Sequence, residues 1–396
     1  LATYRLQAGR WNESGRPFLL GNILIHLMNG ILAYFLFFQL ARASGSSKET
    51  VPSIALGGMA LWMVMPLLAT SSLMVVQRMT TLAALWMLLG LNGYLYWRTK
   101  LGQKPATALT GMSLSLILAS IFAVLCKENG ALLPTLVLVT EACLLSRPGD
   151  LASRHWAIWR AVFLIAPTVF IFLFLASRAP YGDALVARMD FTAFERLLTE
   201  ARVLWEYVLK ALVPRSSAFR PFHDDYAISR SILEPFTLLA VVGWALAILC
   251  AWAARRRVPL FTFAVSWFLA AHLIESSTLP LYLYFEHRNY VPALGPIFAV
   301  AAGLFSITGR YRAGAHTLFA CLVALQAVVL VSFTTTWGRP LLAAELWYAS
   351  APRSPGAASF LVRQQPAPTR PRRPIETLNT FTAANPQHAY LRLPLL

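Results

Sequence analysis

Residues 18–41 read FLLGNILIHLMNGILAYFLFFQLA, twenty-four positions without an Asp, Glu, Lys or Arg. Coiled as a helix at about 1.5 Å per residue, such a run outreaches the ~30 Å hydrocarbon layer of a membrane. A helix that is apolar on every side has no face for water, so it must lie in a protein core or in lipid. A single run of this kind fits either setting. Similar stretches recur, however, at 52–70, 77–97, 106–126, 130–146, 159–177, 233–253, 259–275, 289–307 and 315–334. The series predicts an all-α integral membrane fold of about ten membrane-spanning helices. Only a few residues separate 52–70 from 77–97 and 106–126 from 130–146, so tight hairpins or broken helices are expected there. Broken helices are tolerated only where protein or water covers the freed backbone groups.

Composition agrees: 57% of the 396 residues are hydrophobic and 13% charged, with a mean hydropathy of +0.58. An ordinary soluble domain carries about 25% charged residues. The net charge of +17 raises the question of nucleic acid, but the basic residues do not form one patch. They alternate by loop: Arg42 and Lys48; Arg98, Lys100 and Lys104; Arg147, Arg154 and Arg160; Arg255, Arg256 and Arg257; Arg310 and Arg312. These five loops hold only two acids, Glu49 and Asp150. That distribution is the positive-inside signature, and it argues against a nucleic-acid partner. It predicts a multi-pass protein of a bacterial inner membrane, with these loops cytoplasmic and residues 1–17, 178–232 and 335–396 periplasmic. No signal peptide is recognisable. Cys126, Cys143, Cys250 and Cys321 all lie in or beside apolar runs, and their spacing suggests neither a disulfide nor a zinc site.

With this topology the unusual polar residues gather on one side. Gln77 and Arg78 open a span, Lys127, Glu128 and Asn129 fill a turn, and His223, Asp224 and Asp225 precede the 233–253 run. Glu286, His287 and Arg288 precede the next inward crossing. Charges near lipid are costly unless they pair or line a wet cavity, so a shared polar cleft accounts for them together. Each group also has a plainer role open to it. Gln77 and Arg78 can anchor a helix end by snorkelling, and Lys127 and Glu128 suit any interfacial turn. Glu286 and Arg288 can pair structurally, while His287 lies beside them as a supporting residue. The most site-like stretch is Phe219-Arg-Pro-Phe-His-Asp-Asp-Tyr226, where an imidazole beside two carboxylates can bind a divalent metal or work as base and orienter. The same stretch can equally be an ordered loop whose Asp side chains hold backbone amides.

Three further segments complete the organisation. Within 194–213, Leu197, Leu198, Val203, Leu204, Tyr207, Val208, Ala211 and Leu212 recur at helical spacing between charges, which predicts an amphipathic helix in the outer interface. Asn22, His26 and Asn29 share one stripe of the first span, as expected for interhelical hydrogen bonds or a lined cavity. The apolar runs stop after 334, and Gln364–Pro374 reads as a linker. Residues 374–396 then have a helix, an Asn385-Pro386 break and a second helix start, the pattern of a helix-hairpin repeat.

Several phrases carry a family resemblance: Gly21-Asn22 through His26 to Asn29, Val76-Gln77-Arg78, Cys126-Lys127-Glu128-Asn129, Phe222-His223-Asp224-Asp225-Tyr226, Glu286-His287-Arg288-Asn289-Tyr290 and Asn385-Pro386-Gln-His-Ala-Tyr390. In their order and spacing, over about residues 18–390, the chain resembles bacterial polytopic proteins with tetratricopeptide repeats. Its layout is similar to that of the transmembrane and tetratricopeptide-containing O-mannosyltransferases, glycosyltransferases of the GT-C type. The resemblance implies that a sugar passes from a polyprenyl-phosphate donor to a periplasmic acceptor hydroxyl, for instance on an exported or pilus protein. It divides the chain into the end of an outer loop (1–17), a multispan domain (18–334) with its outer loop and interfacial helix (178–232), a periplasmic helix and linker (335–373) and the start of a repeat (374–396). Asp224, Asp225, His223 and Glu128 become catalytic candidates, with a divalent metal at His223, Asp224 and Asp225 as an option. Arg288, Arg78 and Lys127 become phosphate-binding candidates, supported by Glu286, His287, Gln77, His26 and Asn22. The general base of such enzymes sits in the first outer loop, which here would fall at or before residue 1, with Glu13 the one acid nearby. Two other functions fit the same sequence: a scaffold that binds proteins through its repeats, and a transporter or flippase of a lipid-linked sugar. Against the second, no internal duplication is apparent, and the charges cluster at one end instead of mid-membrane.

Overall fold

The computed structural model describes residues 15–145, 153–186, 191–365 and 372–384, together with 2–5, 7 and 9. Glu13, Arg147, Asp150, most of the Gln364–Pro374 linker and the Asn385–Tyr390 stretch lie outside the described residues. All regular structure among the described residues is helical. Helix α1 runs Arg16–Ala43 and opens on Pro17, whose missing N–H costs nothing in a first turn. Beyond its end, Gly45 turns the chain at a φ of 80°.

Helix α2 (Val51–Met63) stops before Pro66, which biases the preceding residue away from helix. A 3₁₀ turn and a short helix carry the chain to Leu73, bent by 57° from α2. The expected 52–70 span is therefore a broken element. Helix α3 (Arg78–Arg98) and helix α4 (Pro105–Cys126) follow. A 3₁₀ turn, Glu128–Leu132, then leads into α5 (Leu133–Cys143). Helix α6 (Ser153–Arg160) passes through a π-helical turn, Ala161–Ile165, into α7 (Ala166–Val186). The remaining helices are α8 (Ala193–Leu212), α9 (Pro235–Ala254), α10 (Pro259–His272), α11 (Leu294–Phe305), α12 (Arg312–Trp337), α13 (Pro340–Ser350), α14 (Pro355–Gln364) and α15 (Arg372–Ala384).

Among the described residues five helical segments are long and apolar enough to cross a membrane: Arg16–Ala43, Pro105–Cys126, Arg154–Arg178, Pro235–Ala254 and Gly309–Trp337. Counting the bent 51–73 pair makes six. Two more of the expected spans, α10 with 14 residues and α11 with 12, are apolar but short. At about 1.5 Å per residue each covers only part of a hydrocarbon layer.

Around an apolar core, the surface is also apolar over wide areas, and several charges are buried. On α9 only Thr237, Ala240 and Ala251 are buried, while Phe236 and Leu239 are more than two-thirds exposed. Arg78, Arg196, Arg288, Glu200, Glu275 and Glu286 are buried. Apolar surface this extensive needs a hydrocarbon surround, so the architecture is compatible with a membrane protein.

Close helix contact depends on small residues. A Cβ on Gly90 of α3 would lie 2.5 Å from the Ala119 Cβ of α4, so these two helices meet at nearly backbone distance. Helix α1 packs on α2 and α3, and α10 lies between α5 and α11. Trp62, Tyr94, Trp267 and Tyr290 fill the interior. At one end of α3, Arg98 pairs with Glu141 at 2.8 Å and the Tyr94 hydroxyl donates to the same carboxylate. Arg78 marks the other end, toward which most buried charges converge. After α12, helices α13, α14 and α15 stack in turn, with Ala358, Val362 and Leu378 forming a small core between the last two.

Candidate functional site

Lys127 leaves α4 in an extended conformation, which frees its side chain to turn inward beneath the next 3₁₀ turn. Its Nζ donates to Glu275 Oε1 at 2.5 Å and to Thr80 Oγ1 at 3.2 Å. Glu275 follows the end of α10, so this pair joins α3, α4 and α10 at one level.

Helix α8 supplies the next layer. Its start is fixed by a capping box between Thr192 and Glu195, which aims the stripe Arg196, Thr199, Glu200, Val203 and Tyr207 inward. Arg196 pairs with Glu200 at 2.9 Å and donates to the carbonyls of Ser277, Leu281 and Glu275, holding the 275–282 loop. Burial pulls Arg196 down to about 10, with Glu200 opposing, so the guanidinium stays charged at neutral pH. Arg288 shares Glu200 at 3.4 Å and donates to the carbonyls of Leu283 and Tyr282. Burial favours its neutral form most strongly of any single effect, but Glu200, Tyr207 and Glu275 together outweigh it and hold Arg288 above its ordinary value.

A third cluster lies beside these. Glu286 accepts from Lys210 at 2.9 Å, and His223 Nε2 lies 3.3 Å from the same oxygen. Burial lowers His223 more than Glu286 raises it, so the imidazole is neutral. Burial also works against ionised Glu286, yet Lys210 and His223 keep it below the usual carboxylate range. His287 stacks on Phe285, and burial together with Lys127 pushes it to about 3, leaving it neutral as well.

The residues singled out from the sequence separate into distinct environments. Asp224 accepts from Ser354 Oγ and from the Gly356 amide at 2.7 Å, so both its oxygens hold the start of α14. Asp225 pairs with Arg220 at 3.0 Å. With His223 turned to Glu286, these three neighbours face three different partners. They do not fit a shared metal site, and no group of three such side chains among the described residues converges as metal ligands.

Arg78 is buried among neutral acceptors: Asn22 Oδ1 at 2.8 Å, Gln7 Oε1 at 2.8 Å and the carbonyls of Phe18 and Thr3. Gln77 accepts from Thr80. Asn22 donates to the carbonyls of Ser72 and Met74, and Asn29 to that of Thr81. His26 Nδ1 lies 2.7 Å from the Tyr290 hydroxyl, which also accepts from Asn29 at 3.1 Å. The Tyr290 carbonyl takes the Trp62 indole N–H at 3.0 Å. The stripe on α1 thus ties that helix to the broken 63–81 segment and to the start of α11. Glu128 is exposed and has no ion-pair or hydrogen-bond partner among the described residues.

Two hollows flank the Lys127–Leu132 turn. On its inner side a cavity of about 20 Å³ is lined by Thr80, Lys127, Asn129, Glu275, Arg288 and Tyr290, among others. On its outer side an apolar groove of about 550 Å³ runs along α4 from Leu125 to Leu116, walled by Pro134, Phe163 and Pro167. The rest of the cavity wall is apolar, with Met87, Leu132 and Val291 beside the charges, and the groove reaches the same turn at Ala131.

Reading the sequence alone missed Glu275, Arg196, Glu200 and Lys210. Glu275 carries a signal in hindsight, since it is a carboxylate closing an apolar run and followed by two serines. The α8 charges give no such signal, because only the three-dimensional structure tells a solvated face from a buried one. Comparisons with protein-family models, with curated proteins and with solved structures produce no match to this chain.

Proposed function

We propose that the chain transfers a sugar from a polyprenyl-phosphate donor to an acceptor hydroxyl at the polar end of the bundle. The observation that carries this is the turn at Lys127: Lys127 and Arg288 line its inner side, a chain-sized apolar groove runs along its outer side, and Glu128, a carboxylate with no partner among the described residues, sits on it. A lipid-linked donor calls for the groove and the cations, and its acceptor for the carboxylate. The leaving phosphate gains charge on oxygen as the glycosidic bond breaks, and a cation in a low-dielectric site stabilises it. Lys127 uses two of its three protons on Thr80 and Glu275 and has one to offer. The acceptor hydroxyl loses its proton to a carboxylate as the new bond forms, a role that suits Glu128. Asp224 and Asp225, with their partners on α14 and Arg220, position the loop beside this end.

In the topology we propose, the chain makes ten crossings of a bacterial inner membrane in a GT-C-like arrangement, with the shorter helices completed by the turns that flank them. The polar end faces the periplasm, and residues 374–396 open a tetratricopeptide-like repeat that presents an exported or pilus protein. The test is donor-dependent sugar transfer in membranes carrying the full chain. Lys127→Gln and Glu128→Gln are expected to lower kcat by about 100-fold or more, while Asp224→Asn retains transfer. Failure to transfer from any of a broad panel of donors and acceptors overturns the function. Transfer unaffected by changes at Lys127 and Glu128 overturns the site.

A further inference from the structure

Between α10 and the 3₁₀ turn Glu286–Asn289, residues 273–285 form no regular helix, so their carbonyls lack the partners that a helical ladder supplies. Arg196, 0% exposed, reaches across from α8 to supply them. Its Nε donates to the Ser277 carbonyl at 2.8 Å and one terminal nitrogen donates to the carbonyls of Leu281 and Tyr282. The other terminal nitrogen takes the Glu275 carbonyl at 2.6 Å and Glu200 Oε1 at 2.9 Å. A guanidinium has five N–H groups, and these five acceptors use them all, so Arg196 has none to offer a ligand. Its contacts lead instead to both cations at the Lys127 turn. Glu275, held by its backbone carbonyl, takes the Lys127 ammonium on its side chain. Glu200 Oε1 also lies 3.4 Å from Arg288, and the Tyr282 carbonyl accepts from both arginines.

We propose that Arg196 is a positioning residue, which sets Lys127 and Arg288 relative to one another and so aims them at the donor phosphate. The proposal rests on the sugar-transfer function above and names the residue that aligns its cations. The planar fork is what matters, because a lysine at 196 keeps the charge but carries its three donors on one atom. Without the fork the 275–282 carbonyls lose their donors, and the loop that carries Glu275 is free to shift away from Lys127. Glu200 loses its nearer partner in the same change, which loosens Arg288. A misplacement of about 1 Å in a catalytic site costs on the order of 100-fold in rate.

The experiment is a double-mutant cycle on sugar transfer from a panel of polyprenyl-phosphate hexoses, with the full chain in lipid nanodiscs and rates expressed per folded protein. Arg196→Lys is expected to lower kcat by about 10- to 100-fold. Made in the Lys127→Gln background, the same change should cost at most about one-third as much, because a cation that it misplaces is already gone. A merely structural latch lowers kcat by the same factor in both backgrounds, and that additive result overturns the positioning role while leaving transfer and Lys127 standing. An Arg196→Lys protein as active as wild type overturns it too. If Arg196→Lys does not fold, Glu200→Gln, which keeps the side-chain volume and loosens the same guanidinium, goes through the same cycle with the same two outcomes. Absence of transfer by the wild-type chain from every donor overturns both the positioning role and the function.

Discussion

Glu286 illustrates what single residues do at the polar end, because one buried oxygen serves both Lys210 and His223. Removing one partner of a buried pair costs about 3–5 kcal/mol, since the other charge stays buried alone. Glu286→Gln should therefore lower the thermal midpoint of the purified protein markedly, and adding Lys210→Met should restore part of the loss. The same cluster predicts two pH windows. His223 has a lowered value in the folded state, so the unfolded chain binds the extra proton first, and stability falls as pH drops below the ordinary value of about 6.5. Glu286 is also lowered, so its contribution is full above the ordinary Glu value of about 4.3 and is lost only as pH falls through the lower folded value. Amide protection in 219–226, corrected for intrinsic exchange, should fall as pH drops from 7.5 to 5.5, because His223 there faces Glu286, Lys210 and Arg220, and His223→Asn should remove that dependence. At this scale the sequence was informative about which residues are unusual, not about whom they meet. Lys127, Glu286 and Arg288 stand out in any reading of the chain. Their partners Glu275, Lys210 and Glu200 lie 148, 76 and 88 positions away, and no local pattern links them.

Elements here are defined as much by their breaks as by their lengths. The α4–α5 connection bends where Gly130 lies against α4, since a Cβ there would fall 2.4 Å from the Ala123 carbonyl carbon and 2.5 Å from the Val124 nitrogen. Backbone atoms cannot rotate away as a side-chain tip can. Gly130→Ala should cost about 1–3 kcal/mol and should disturb the Lys127–Glu275 pair, read as a lower unfolding midpoint and weaker binding of donor lipid. The loop before α9 shows a different kind of element contact. Through Asp224 it holds the N-terminus of α14, and a charged group accepting two such bonds contributes about 1.5–3 kcal/mol per bond. Asp224→Asn should leave the apolar bundle folded while making the 351–365 segment more sensitive to limited proteolysis. Apolar runs forecast where helices occur, and Pro66 marks the break after α2. Hydropathy gives no sign, however, that α10 and α11 stop at 14 and 12 residues, because their ends are set by turns folded around Arg196, Arg288 and Tyr290.

At the scale of the whole molecule, charge placement makes the sharpest forecast. Reporter fusions in the 98–104 and 255–257 loops should read cytoplasmic, and a fusion within 219–226 should read periplasmic; the opposite result at either end would separate the proposed site from its donor. Apolar content announces the helical architecture plainly in the sequence, but the count of crossings does not follow from it, since short and broken helices carry the same composition as full spans. The candidate site was visible only as scattered polar residues, and its central pair, Lys127 with Glu275, needed the folded chain. Tyr290 adds a mechanical consequence. Its hydroxyl meets His26 and Asn29 on α1, and its carbonyl holds Trp62 of α2. Arg288 stands only two residues before it, so the first two helices are hydrogen-bonded to the turn that carries that guanidinium. A rotation of α1 by one residue, about 100°, would carry both of its polar contacts off the tyrosine, and a slide along the axis would drag the 286–290 turn with it. A push on the exposed face of α1 would thus reach the 286–290 turn through two hydrogen bonds to one tyrosine.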